Sequence, residues 1–551
     1  MERNTALPDA PARFARGAVA LLLGLFPAVC GLAALALGQD ANWDLRNYHY
    51  YNPFAFLNGR MGFDIAVAHV ATYYNPLIYF PFYFAVNAFE PRVIGFALGF
   101  LPGLNLLLLY AAARRALAPA ELAGRRWFCL ALALVGFLGS ANLAEIGTSY
   151  FDNLLSLPVL IAFWLLLRCR DGLGGSGARP WAAAAGAGLL AGAAFGMKLP
   201  FAIYAVGLCA AFFALELPFR RRFLLAFTFG LGVLAGTALT GGFWMLEMWR
   251  RFANPLFPYF NEIFKSEWGA LGSYRDDRFI PKSVGVALIF PFWFTADPMR
   301  VGEIAFRDLR FPLLYALAIL AAAAALGRRL GGRRGGREAP PARSPAAPFV
   351  FVFMAVTFAV WMAVFAIYRY IIVAEFLAPL AICLVLGRIA RPERRQLALA
   401  LAALALLVAT LQPGSWGRRP WGPDYFGVEP PDLEDPARTL VLVTGYDPVA
   451  YMIPFFPPAV RFLRIQGFVT GPSERPNAND RLMQAAVAAH AGPMFILFRE
   501  YEERAAVEGL AAYRLAADRR GCRTMVPHVE PQQQHPFFFC PVAKLPGAPG
   551  G

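Results

Sequence analysis

The chain has 551 residues, with 51 basic and 36 acidic side chains and a formal net charge of +15. It is 58% hydrophobic, 15% aromatic and 16% charged, whereas a soluble domain is about 45–50% apolar and about 25% charged. Over a length well past the roughly 250–300 residues at which a single core stops growing, that balance excludes one water-soluble domain and a disordered chain, and points to a polytopic membrane protein. The basic residues fall in short clusters between apolar runs, so no nucleic-acid partner is expected.

A helix needs about 20 mostly apolar residues to cross a bilayer. The first such run is 17–38, preceded by Arg3, Arg13 and Arg16. Ala34-Leu35-Ala36 has the form of a signal-peptidase site, but the run exceeds the usual signal core of about 7–15 residues, so an uncleaved span is expected. The aromatic segment from Gln39 to about Asn75 follows, too polar to span and too long for a turn. PLIYFPFYFAVNAF is too short to cross and fits a helix lying at the interface. Further runs are 92–113, 127–144, 151–167, 181–197, 200–218 and 223–246, the fifth and sixth of the whole series divided by Lys198 and Pro200.

A second long segment, about Glu247 to Arg310, carries the short apolar stretch VGVALIFPFWF. Runs at 311–327, 348–367, 371–387 and 396–411 complete the series, with Tyr368-Arg369-Tyr370 breaking the second of these from the third. After the Pro/Gly/Trp-rich PGSWGRRPWGP, the tail changes character. Residues 439–445 and 493–498 read as buried strands, and 481–490 and 501–514 as helices. The expectation is an all-α polytopic membrane bundle over residues 1–411, with about eleven transmembrane helices and interfacial helices in the first outer loop. A small C-terminal α/β extracytoplasmic domain over 412–551 follows it.

Arginine clusters alternate along this series. Arg114, Arg115, Arg125 and Arg126 form one; Arg168, Arg170 and Arg179 the next; Arg220, Arg221 and Arg222 a third. Arg328, Arg329, Arg333, Arg334, Arg337 and Arg343 form the fourth, and Arg388, Arg391, Arg394 and Arg395 the fifth. Arginine marks the cytoplasmic loops of multi-pass proteins. The pattern therefore predicts an inner-membrane protein with its N-terminus cytoplasmic and its tail periplasmic. Five of the seven cysteines lie in or beside spans, as small apolar thiols. Cys522 and Cys540 both lie in the outer tail, where an oxidising compartment permits a bridge, and the sequence leaves that bridge open.

Charge near a bilayer is costly, so its placement carries functional information. Asp40, Asp44, Glu145, Asp152, Lys198, Arg369 and Glu375 all fall at the outer ends of spans. Acids and bases converging at one level are what an anionic, lipid-linked substrate requires. Each residue also has a plainer reading. Asp44 and Asp152 can cap helices, Lys198 can snorkel, Arg369 can pair with Glu375, and Asp40 can be a solvated loop acid. His49 and His69 read as polar positions on a packed aromatic helix, or as substrate contacts. Asp276 and Asp277, beside Arg275 and Arg278, read as a surface ion-pair cluster.

WDLRNYHYYNPFAFLNGR, SYFDNLLSLPVLIAFWLLL and GMKLPFAIY, over roughly residues 10–400, together resemble the GT-C superfamily of integral-membrane glycosyltransferases, of mannosyl- and arabinosyltransferase type. An acid just after the first span is that superfamily's signature. The resemblance implies a polyprenyl-phosphate sugar donor held among membrane lipids. The acceptor would be a glycan, lipid or protein hydroxyl, and transfer would invert the anomeric centre. It implies Asp44 as catalytic base, with Asp152 positioning the acceptor or a metal. It further implies Lys198 and Arg369 as phosphate ligands, and Tyr48, His49 and Asp40 as substrate contacts. The chain departs from the usual Asp-Glu pair, reading Asp44-Leu45-Arg46. The cofactor stays unknown; paired outer acids are compatible with a divalent cation, but none is required and no metal site is assigned. No glycine-rich phosphate loop supports a nucleotide-driven reaction. The alternative is a transporter or flippase of lipid-linked glycans, against which stand the absence of a clear repeat and of midplane charge.

Overall fold

The computed structural model of the protein describes residues 10–117, 124–272, 274–330, 344–390, 393–473 and 475–545. Of the arginines named above, Arg3, Arg333, Arg334, Arg337, Arg343 and Arg391 lie outside these residues. Among the described residues eight helices are long and apolar enough to cross a membrane: Ala15–Leu37, Pro91–Ala116, Asp152–Gly172, Arg179–Met197, Phe219–Phe252, Arg310–Gly327, Ala347–Val364 and Tyr368–Ile389. Helices satisfy their own backbone groups, which is what an apolar solvent demands.

Three of the eleven expected runs fall short of that length or composition. Residues 199–214 form a shorter apolar helix. Glu393–Thr410 opens on Glu393, Arg394 and Arg395. The run 127–144 divides into Arg125–Phe137 and Ser140–Glu145. The physical reason for this division is a buried group of charges. Arg310 Nη2 donates to the Val135 and Leu138 carbonyls at 2.6 and 2.7 Å, satisfying the end of the first piece. Asp308 Oδ2 accepts from Ser140 N at 3.1 Å, and Glu375 accepts from the amides of Ala141 and Asn142 at 2.9 and 3.3 Å, satisfying the start of the second.

Arg179–Met197 and Phe219–Phe252 pack closest. A Cβ on Gly188, Gly192 or Gly236 would come within 2.0–2.1 Å of a carbonyl oxygen on the facing helix, so only glycine permits that approach. This is the small-residue packing of apolar helices. Lys198 caps the end of the first of the two and reaches Asp152 from there.

The first long loop, from Gln39 to about Asn75, is folded. Gly38, with φ of +94°, turns the chain out of the first long helix into β1 (Gln39–Asp40). β1 pairs antiparallel with β2 (Arg418–Arg419), which follows helix Glu393–Thr410. A π-helical turn, Leu45–His49, and helix Tyr51–Leu57 follow. The segment too short to span forms Leu77–Tyr79 and Phe80–Val86. VGVALIFPFWF lies within helix Val284–Ala296.

The tail is the small α/β unit the sequence predicts. Parallel strands β3 (Leu440–Val443) and β5 (Met494–Arg499) fall on the two expected strands, and helices Ala478–Ala489 and Glu503–Ala512 on the two expected helices, with ends shifted by one to three residues. Strands β4 (Arg461–Arg464), β6 (Leu515–Ala517), β7 (Arg523–Met525) and β8 (Phe537–Lys544) complete a six-stranded sheet of order β4-β3-β5-β8-β6, with β7 also on β8. Cys522 and Cys540 form a disulfide.

The tail is fastened to the first loop. Ile65 N donates to Phe462 O at 3.1 Å and accepts, through its carbonyl, from Arg464 N at 3.0 Å, extending the sheet past β4. Arg46 Nη1 pairs with the buried Glu530 at 2.7 Å, and Arg60 donates to the carbonyls of Pro458 and Val460.

Candidate functional site

Four side chains from four separate segments meet where the first loop faces the helix ends. Arg369 Nη2 lies 3.0 Å from Asp44 Oδ2 and its Nη1 lies 3.3 Å from Asp152 Oδ2. Lys198 Nζ lies 2.5 Å from Asp152 Oδ1. That contact is an ion pair without hydrogen-bond alignment, and Nζ also donates to the Tyr150 carbonyl at 3.1 Å. Two acids thus balance two bases. The Asp152 side chain is fully buried, whereas that of Asp44 keeps 13% of its surface exposed.

Local folding frees these groups for one another. Asn42 Oδ1 accepts from Leu45 N at 2.8 Å, so Asn42 caps the turn that begins there, and Asp44 makes no capping bond. Glu145 Oε2 accepts from Asn153 N at 3.1 Å, so Glu145 caps the helix that starts at Asp152. The capping readings of Asp44 and Asp152 are therefore corrected. Lys198 is extended, with φ −147° and ψ 114°, between a helix end and a turn that opens with Leu199 and Pro200, and its side chain is turned inward rather than snorkelling. Arg369 does not pair with Glu375, which is held by the backbone amides of Ala141 and Asn142.

Aromatic rings close the cluster. The Arg369 guanidinium lies 4.5 Å from the Tyr150 ring centre, 4.8 Å from Tyr370 and 5.8 Å from Trp416; such contacts stabilise a desolvated cation. Tyr48 donates its hydroxyl to Asp44 Oδ2 at 3.3 Å. A cavity of about 240 Å³, between the first loop, the second loop and the tail, is lined in part by Tyr73, Arg251, Trp268 and Asn479, and includes none of the four charged residues.

Beside the cluster runs a second chain of bonds. Asp40, expected as a solvated acid, is 1% exposed. It accepts from Asn42 Nδ2 at 2.8 Å, and from Ser149 N and Oγ at 2.8 Å each. His49 Nδ1 meets Ser149 Oγ at 2.8 Å. Because the serine hydroxyl donates to Asp40, His49 Nδ1 carries the proton and Nε2 keeps a lone pair, which has no partner among the described residues. Burial and the nearby Lys198 and Arg369 charges hold the His49 imidazole well below its ordinary range, so it is neutral. Glu145 is pushed well above the carboxylate range, first by burial and then by the Asp152 charge.

Not every candidate joins. His69 is buried against the tail, where its Nδ1 accepts from Phe468 N at 3.3 Å. Asp276 and Asp277 pair with Arg278 and Lys282 on the surface. Sequence reading missed Asn42, Ser149, Tyr150 and Trp416, which are uncharged and so gave no signal of cost near a bilayer. Among the described residues no three metal-ligating side chains stand together. In comparisons with known proteins, the chain matches no family model, no curated protein and no solved structure.

Proposed function

We propose that this protein is a membrane glycosyltransferase, moving a sugar from a polyprenyl-phosphate donor to an acceptor hydroxyl. The observation that carries the reading is the chain of ion pairs Asp44–Arg369–Asp152–Lys198 under a partly open aromatic cover. Asp44, the acid with exposed surface, takes the acceptor proton as the acceptor oxygen bonds to the anomeric carbon. The bond from that carbon to the phosphate oxygen breaks as the new one forms, which inverts the centre. Negative charge nearby stabilises the oxocarbenium-like transition state. The departing phosphate gains charge and is met by Arg369 and Lys198. Arg369 has a donor to spare for it, since its buried Nε is without a partner among the described residues. Asp152 orients both bases, and the chain from neutral His49 through Ser149 to Asp40 holds the turn that carries Asp44.

Topology supports the same reading. Asp44 follows the first long helix, Asp152 and Arg369 open later ones, and Lys198 closes another, so these four ends share one side. Each return between them then needs Arg125–Phe137, Leu199–Ala214 and Glu393–Thr410 as further crossings, giving eleven. With arginine on the opposite side, the cluster and the tail face the periplasm and the N-terminus faces the cytoplasm. Labelling of single cysteines on each side of intact cells tests that orientation.

The test of activity is the protein reconstituted with radiolabelled polyprenyl-phosphate sugars and a panel of glycan, lipid and peptide acceptors. A new glycosidic product that is lost in Asp44→Asn is expected. Movement of intact donor across the bilayer without product would make the protein a transporter and overturn the enzymatic reading.

A further inference from the structure

A second basic site lies apart from Asp44. An open cavity of about 520 Å³ is lined by Leu35, Leu37, Arg92, Arg418, Arg419 and Trp421, with no acid among its lining residues. It sits where the first long helix ends at Leu37 and the second begins at Pro91, the level at which apolar helix gives way to polar cap. The ribbon of β1 and β2 brings the two arginines from beyond helix Glu393–Thr410 to this place. Trp421 is seated against the second helix at Gly95, where a Cβ would lie 2.1 Å from the ring, and its Nε1 donates to the Leu35 carbonyl at 2.9 Å.

The three cations here have no countercharge in the lining of the cavity. Arg418 spends its guanidinium on the carbonyls of Ile146 and Gly147, at 2.5 and 3.0 Å. Arg419 donates only its Nε, to His528 O at 3.2 Å. Arg92 is exposed, and among the described residues none of the three forms an ion pair. Asp40, the acid whose charge acts on Arg418, is already engaged by Asn42 and Ser149. Beside the cavity the outer faces of both helices are apolar and open: Leu32 is 60% exposed, Leu37 49% and Val93 52%.

Free guanidinium groups at the head of an apolar, open helix face match a phosphate with acyl chains below it, as basic interfacial pockets do. We infer that this cavity binds the phosphate headgroup of an anionic bilayer phospholipid. Its chains lie along the first two long helices, and Arg92 and Arg419 hold the headgroup. The site does not depend on the reaction at Asp44.

The test is native mass spectrometry of the full-length protein in detergent, titrated with phosphatidylglycerol, phosphatidylcholine or inorganic phosphate. Phosphatidylglycerol is expected to bind at least about tenfold tighter than phosphatidylcholine. Arg92→Ala and Arg419→Ala should each weaken it about fivefold, the value of one arginine near a charged surface. Arg220→Ala, in the cluster at the far end of the bundle, should leave it unchanged. Arg92 has no hydrogen-bond or ion-pair partner to lose among the described residues, so its variant folds. Equal binding of the two lipids, or no effect of either variant, overturns the proposal. Inorganic phosphate binding as tightly as the lipid would make the ligand a soluble anion, and Arg92-dependent displacement by a short polyprenyl phosphate at a tenth of the lipid concentration would make it a carrier lipid. Either result also overturns the phospholipid assignment.

Discussion

Two buried groups of charge lie close together in this chain and are built in opposite ways. In the group of Asp308, Arg310 and Glu375, the charges are spent mainly on backbone: Arg310 on the carbonyls that end one short helix, the two acids on the amides that start the next, with only a looser Arg310–Asp308 pair at 3.6 Å between them. In the group of Asp44, Asp152, Lys198 and Arg369, the charges are spent mainly on one another. Each group has an idle Nε, on Arg310 and on Arg369, so an unused guanidinium atom does not separate them. The partner does, together with exposure. Asp308 and Arg310 are sealed at 3% and 1%, while the Asp44 side chain reaches the surface. Charge that replaces missing helix hydrogen bonds holds the fold, whereas charge held mainly by countercharge is available to a substrate that carries its own.

The largest expected effect breaks this contrast most directly. Asp44→Asn should lower transfer about 10²–10⁴-fold, the usual worth of a positioned general base, while circular dichroism stays that of a folded helical protein. Arg310→Ala should instead lower stability by about 3–5 kcal/mol, because it strands two buried acids and several carbonyls; the unfolding midpoint in detergent measures it. If Asp44→Asn unfolded the protein and Arg310→Ala were silent, the two groups would have to exchange roles.

A smaller effect sharpens the comparison. His49 is held neutral, with its folded-state pKa below the unfolded value of 6.5. Its linkage is therefore flat above that value. Below it the unfolded chain binds the proton and the folded chain does not, so stability falls by at most about 1.4 kcal/mol per pH unit. Glu145, whose pKa is raised, acts in the opposite sense, since its protonated form is favoured by folding. The difference between wild type and His49→Gln isolates the histidine. The variant should lose less stability between pH 6.5 and pH 5.5, and identical acid limbs for the two proteins would remove His49 from the account. Least of all, Arg278→Ala should cost under about 1 kcal/mol in the same unfolding measurement, because the Arg278 side chain is 69% exposed and such pairs are screened by water.

The sequence carried the charged members of the site further than their setting. Asp44, Asp152, Lys198 and Arg369 announce themselves because ionisable groups at the ends of apolar runs are costly. Asn42 and Ser149 do not, although both hold Asp40, and no hydropathy argument separates Ser149 from any other loop serine. Asp40 itself reads as a solvated acid until the fold covers it. The stretch PGSWGRRPWGP reads as a linker, yet Trp416 lies over Arg369 and Arg418 and Arg419 pair with β1. Linker composition says only that the chain leaves helix, not where it goes next.

Composition and hydropathy alone determined that this is a chain of apolar helices with a small α/β tail, because bilayer length and helix hydrogen bonding leave few other ways to bury so much apolar sequence. They also determined which residues bear costly charge. Only the tertiary structure decided which charges meet. Asp44 and Arg369 are paired across 325 residues, in a cluster that also takes Lys198 from the end of a glycine-packed helix and Trp416 from the segment that follows the last long apolar run. Those are properties of contact between distant segments, and local periodicity does not encode them.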